Sequence, residues 1–248
     1  MKHLFIDDHE LELIDNLARK LHQPQKFRGN AVLRPEHRWE NCSIQIRTTP
    51  AWDEEENLFK VVYMASAEGD DPNVTLDPTG APKGGETFFC LATSEDGVNW
   101  EKPTLGLYDY QGLHWTGRPL GKENNILGTE GKLLLAPIYD PLDADPARRY
   151  KGMGWWPGID GLTPAVSPDC IEWTPLMNTN VPSSDEAHLT HLRDEKLFVA
   201  MVKHKDPQGR SPYGRSFCLS TSPDLESWTE LELAFHADQQ DQENGNER

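Results

Sequence analysis

SEDGVNW (Ser94–Trp100), SPDCIEW (Ser167–Trp173) and SPDLESW (Ser222–Trp228) repeat one pattern: serine, aspartate two residues on, tryptophan six residues on. Starting at residues 94, 167 and 222, the copies are spaced too unevenly for a thin solenoid and suit four-stranded blades with variable loops. Each reads as a tight turn. The aspartate can cap backbone N–H groups, and the tryptophan opens the next strand and packs between sheets. A strand-like run precedes every copy: TFFCLATS, TPAVS and RSFCLSTS. Upstream of these lie LFKVVYMA, RYKGMGWW and KLFVAMVK, and before those NCSIQIRT, KLLLAPIYD and AHLTHLR. Acidic turns, PAWDEEEN, PLDADPAR and RDEK, separate the first and second runs, as hairpin chemistry requires. The unit is therefore strand A, acidic turn, strand B, loop, strand C, Ser-x-Asp turn, strand D. Three units are expected, over residues 40–107, 125–178 and 185–235.

Composition agrees with an all-β chain. Among 248 residues, 8 Trp, 6 Tyr and 8 Phe stand beside 19 Gly and 19 Pro, the mixture of short strands and punctuated turns. A formal charge of −17 argues against nucleic-acid and anionic-membrane partners, because both are polyanions that repel such a surface, and only a basic face could displace their counterions. Cys42, Cys90, Cys170 and Cys218 lie far apart in apolar or alternating runs and read as reduced core residues. Met1 leads into KHLFIDD without the apolar run of a signal peptide. As written the protein is expected in the cytoplasm, or secreted or periplasmic if residues precede this start. Residues 1–38 form a separate segment, with a strand at LFID and helical spacing in HELELIDNLARKL, that packs on or closes the blades. Residues 236–248 are expected to be a polar, frayed tail.

LFIDDHEL, RPEHRWE, FCLATSEDGVNWEKPTLGLYDYQG with ENNI, DPARRYKGMGWW and AVSPDCIEW together resemble bacterial proteins described as glycoside hydrolase family 32 N-terminal domain-like. Those are grouped with the five-bladed β-propellers of families 32, 43, 62 and 130. The resemblance runs over about residues 4–240. It implies a five-bladed β-propeller, incomplete in this chain because members carry one or more further blades. It also implies action on carbohydrate, hydrolytic or, in the manner of family 130, phosphorolytic, and it allows a structural Ca²⁺ near the axis, with no other cofactor. The catalytic signatures of family 32, Asn-Asp-Pro, Arg-Asp-Pro and Glu-Cys, are absent, so its catalytic trio is not carried over. The Ser-x-Asp turn marks the fold and leaves the reaction open.

The repeat itself sorts the acids. The A–B turns (Asp53, Asp140, Asp194) and the Ser-x-Asp turns (Asp96, Asp169, Asp224) share one face, and turn capping accounts for them. The opposite face carries the longer B–C and D–A loops, where binding residues concentrate. A glycosidase needs two carboxyl groups flanking the scissile bond. Glu40 and Asp185, at the starts of inner strands, are the catalytic candidates; the alternatives are an ordinary strand-start glutamate and a loop cap, and adjacent Glu186 would point away from Asp185. Candidate sugar-binding residues are Trp39, Asn124, Asn125, Trp155, Trp156, Lys203, His204 and Arg215, set against solvated charges, core tryptophans and turn-forming amides. A carbohydrate-binding or interaction propeller without catalysis is the competing reading. His188 and His191 lie on opposite faces of a strand, so no metal site is expected.

Overall fold

The computed structural model describes residues 12–18, 20, 22–47, 49–67, 86–113, 119–129, 133–156, 158–183, 185, 187–204 and 216–243. The chain divides into two compact units, Met1–Val32 and Leu33–Arg248. In the first, the described residues form no helix or strand. Leu13, Ile14 and Leu17 have helical spacing but are all exposed, and Asn16 takes a left-handed φ of 52° that interrupts a helix.

The second unit is all-β and antiparallel. In the first blade β1 (Ser43–Gln45) and β2 (Ala51–Asp53) both pair with β3 (Leu58–Ala67), which pairs with β4 (Glu86–Ser94). A hairpin of β5 (Tyr110–Leu113) and β6 (Pro119–Gly121) follows, and β7 (Ile126–Thr129) returns to pair with β4. The second blade runs β8 (Leu133–Tyr139), β9 (Tyr150–Trp155), β10 (Thr163–Ser167) and β11 (Thr174–Pro175). The third runs β12 (Ala187–Leu192), β13 (Leu197–Lys203), β14 (Ser216–Ser222) and β15 (Glu232–His236). Their first strands are neighbours, β2 beside β8 and β8 beside β12, the stacking of propeller blades.

One boundary differs from expectation. The chain after Trp100 makes a single bridge, Thr93 to Glu101, and leaves the ladder. Pro103 follows and has no N–H to continue it. The fourth strand is therefore β7, so residues 126–129 close the first blade and do not open the second. The tail also differs: Gln239–Glu243 form a short helix, with the Asp238 carboxylate accepting from the Gln240 and Asp241 amides (2.8 and 3.2 Å).

Each Ser-x-Asp turn repeats the same hydrogen bonds. Ser94 Oγ accepts from Gly97 N (2.9 Å), and Asp96 Oδ1 accepts from Val98 N and Asn99 N (2.8 and 2.7 Å). Ser167 with Asp169, and Ser222 with Asp224, do likewise. The fourth residue sits at positive φ in every copy: Gly97 at 73°, Cys170 at 68°, Leu225 at 70°. Trp100 and Trp228 donate their indole N–H back to that residue's carbonyl (3.1 and 2.8 Å), whereas the buried Trp173 N–H has no partner among the described residues.

Alternation along the strands builds three cores. Val62, Phe89 and Leu91 meet Tyr139, Tyr150 and Cys170 between blades one and two. Met153, Leu162 and Val166 meet Phe198, Ala200 and Val202 between blades two and three. On the other side of blade one, Val61, Tyr63, Phe88 and Cys90 are covered by Leu33, Trp39 and Tyr110. Among the described residues no disulfide joins Cys42, Cys90, Cys170 or Cys218, and the last three are buried. Burial pushes the Cys170 thiol up to about 12, leaving it inert at neutral pH.

Candidate functional site

Glu40 ends a 3₁₀ turn, Arg38–Glu40, on the segment that covers blade one. Its side chain is fully buried. One carboxylate oxygen accepts from Tyr63 OH, and the other from Lys102 Nζ (2.8 Å) and the amides of Glu36 and His37 (2.7 and 3.0 Å). Burial alone would raise its pKa, but the bonds from Lys102, Tyr63 and the two amides together outweigh that and hold it below the ordinary range. Lys102 also donates to Arg34 O (2.6 Å), with its side chain only 3% exposed. The Tyr63 hydroxyl is pushed far up by burial and by neighbouring Cys90 and Glu40, so it serves as a donor. Asn125 completes the network, accepting from Trp39 Nε1 (3.1 Å) and donating to Tyr63 OH (2.7 Å) and Leu91 O (2.8 Å).

The sequence-derived candidates on this segment therefore come together, but turned inward. Trp39 is 1% exposed, stacked on His37 at 4.4 Å and edge-on to Tyr110 at 5.6 Å, so its ring faces are occupied. Asn124 caps the turn into β7, donating to Tyr108 O and Gly121 O (2.7 and 2.8 Å) and accepting from Ile126 N (3.0 Å). In this arrangement Trp39, Glu40, Asn124 and Asn125 act as a buried lock holding residues 33–42 and the β5–β6 region to blade one. Lys102 and Tyr63, the partners that decide this, belong to no sequence motif.

The rim where inner strands begin and B strands end holds the remaining candidates. Asp185, two residues before β12, is half-exposed and directly bonded to Lys203 at the end of β13. Ser183 Oγ ties the loop by donating to Asp185 O (2.7 Å) and Lys203 O (3.3 Å). The His204 carbonyl accepts from Ser216 Oγ (2.5 Å). Trp155, at the end of β9, packs on the apolar cluster that includes Ala187 and Val202, neighbours of Asp185 and Lys203. Trp156 is half-buried, and its buried indole N–H has no hydrogen-bond partner among the described residues. Arg215 and Glu186 lie outside the described residues. Among the described residues the Glu40 network and the Asp185–Lys203 pair have no member in common.

On the other face the turn acids bond within and between blades. Asp53 accepts from the amides of Glu55 and Glu56 (2.9 and 3.0 Å) and from the Tyr150 hydroxyl of blade two. Asp140 pairs with Lys151 (3.0 Å) and lies 3.7 Å from His191 Nδ1 of blade three. Two cations reach across to the next Ser-x-Asp turn: Lys60 Nζ donates to Asp169 O (3.1 Å) and Arg148 to Asp224 O (3.3 Å). These are bonds of blade stacking. Among the described residues no group of three or more His, Cys, Asp or Glu side chains is placed to hold a metal ion.

No family model matches the chain, and no curated protein matches it. Several solved structures are similar in fold. A β-fructofuranosidase from Schwanniomyces occidentalis, complexed with fructosyl-erythritol, matches at 15% identity and a TM-score of 0.49 over 83% of this chain and 36% of its own. A β-1,2-mannobiose phosphorylase from Listeria innocua matches at 10% identity and a TM-score of 0.48 over 86% of this chain and 66% of its own. An exo-inulinase from Aspergillus awamori matches at 10% identity and a TM-score of 0.42 over 76% and 36%. The chain thus spans about a third of the β-fructofuranosidase and of the exo-inulinase, and just under two thirds of the phosphorylase.

Proposed function

We propose that the protein is a glycoside-directed propeller whose sugar site lies on the rim at the start of β12 and the end of β9. One observation carries this reading: an accessible carboxylate, Asp185, is oriented by the Lys203 ammonium, on the rim where Trp156 keeps an indole N–H with no partner among the described residues. Indoles stack on the C–H faces of sugars, and an ion-paired carboxylate suits a base or nucleophile better than a proton donor. Replacing Asp185 by Asn is expected to lower hydrolysis of aryl glycosides, or their phosphorolysis with inorganic phosphate, by about 10²–10⁴-fold while sugar affinity stays. Unchanged turnover and affinity in both Asp185→Asn and Trp156→Ala would sink the proposal.

A second reading, sugar binding without bond cleavage, is favoured by Glu40. Hydrolysis by two carboxyl groups needs both within about 5–9.5 Å of each other across the bond. Glu40 has both oxygens taken by internal donors. Binding that depends on Trp156, with no turnover of any glycoside with or without phosphate, would establish this second reading.

A further inference from the structure

At the other end of the inner strands, away from Asp185, lies a cavity of about 250 Å³ lined by Trp52 and Glu54 of blade one, Pro137, Ile138 and Tyr139 of blade two, and Arg193 of blade three, among others. All three blades contribute through β2, β8 and the turn after β12, so its walls are set by blade stacking. Trp52 is 37% exposed, and its ring is braced by Phe59 at 4.6 Å. Arg193 is fixed at one end by donating to Tyr139 O (3.0 Å). Its other terminal nitrogen stands 3.9 Å from Glu54 Oε1, too far for a direct hydrogen bond.

We infer that this cavity binds one neutral sugar ring, at a site separate from the rim. The chemistry comes from three groups. The exposed indole offers a flat apolar face for the C–H face of a pyranose or furanose. The guanidinium donates and the carboxylate accepts, so a hydroxyl can bridge them across the gap they leave. The volume is below the roughly 300–1,000 Å³ of pockets that bury drug-sized ligands, which sets the size at about one ring. A carboxylated sugar is disfavoured, because Glu54 lies in the cavity wall and the chain carries a net charge of −17. Trp52, Glu54 and Arg193 take no part in the Glu40 network or the Asp185–Lys203 pair.

The test is titration of the full chain with methyl glycosides of glucose, mannose, galactose and fructose, and with methyl glucuronide, followed by calorimetry and saturation-transfer NMR. At least one neutral glycoside is expected to bind with an affinity in the millimolar range and more tightly than the glucuronide. Trp52→Ala should weaken it about tenfold, and Trp52→Phe, which keeps a stacking face, by less than about threefold. Arg193→Gln should weaken it severalfold. Thermal unfolding of each variant separates lost binding from lost folding. The inference is overturned if no neutral glycoside binds, if the glucuronide binds as well as they do, or if binding is indifferent to Trp52→Ala. It is also overturned if binding is lost only in Trp156→Ala, an outcome that leaves the rim reading standing; failure of Asp185→Asn to change turnover would leave this one standing.

Discussion

Replacing Lys102 by Met tests whether the Glu40 network is a structural lock. The methionine keeps most of the stem's packing and removes the ammonium, leaving a fully buried carboxylate with three of its four donors. Breaking a buried pair by deleting one partner costs about 3–5 kcal/mol. The surviving bonds from Tyr63 and two amides place this case at the lower end, about 3 kcal/mol. For a chain of this size that is a fall of about 6–12 °C in the unfolding midpoint, read by calorimetry and by urea titration. The sign of the pH dependence follows from the depressed Glu40 pKa. A carboxyl lower in the folded state stabilises above its ordinary value of 4.5, and the contribution disappears as pH falls through the folded value. The gap between wild type and Lys102→Met should therefore be full at pH 7 and narrower at pH 3. In the Lys102→Met background, Glu40→Gln should cost less than in wild type, since no uncompensated charge remains. A loss under about 1 kcal/mol, or one equal at both pH values, would refute the lock.

Three further outcomes follow from the geometry. Gly97→Ala meets only ordinary contact with Phe59 (3.7 Å), so its cost is the left-handed backbone alone, about 1–2 kcal/mol; Gly161→Ala, whose added carbon would lie 2.8 Å from Val181 O, should cost clearly more, by denaturant titration. Burial lowers the pKa values of His37 and His191, so stability should fall as pH drops below their ordinary value of 6.5, and His191→Phe, which keeps the stack on Phe198, should flatten the slope between pH 7 and 5. Asp53, Asp143 and Asp224 are held low, and Asp96 down to about 2, so a second loss of stability is expected between about pH 4 and 2, measurable by acid titration with circular dichroism.

The blades were legible because their signals are local. Ser94, Asp96 and Trp100 make their turn within seven residues, and the same holds at Ser167 and Ser222, so the pattern names its own hydrogen bonds. The alternation in KLFVAMVK likewise declares which residues enter a core, whereas the continuous apolar run in LFKVVYMA belongs to a strand buried on both faces. The closing strand of blade one was not legible, because β7 pairs with β4 across a hairpin that nothing in the repeat announces. Nor was the left-handed φ at Cys170 and Leu225, since only Gly97 among the three is a residue that advertises it.

For the site the division is sharper. The amino-acid sequence by itself determined that this is an all-β chain of repeated antiparallel units, that its turn acids are largely caps, and that Glu40 and Asp185 stand at the starts of inner strands. Tertiary structure alone decided what those two carboxylates are. Glu40 takes its two side-chain donors from Tyr63 and Lys102, 23 and 62 residues away, while Asp185 stays half-exposed against Lys203. Turn geometry is governed by bonds a few residues long, whereas the chemistry of a carboxylate is governed by how far it is removed from water and by which distant donors replace that water.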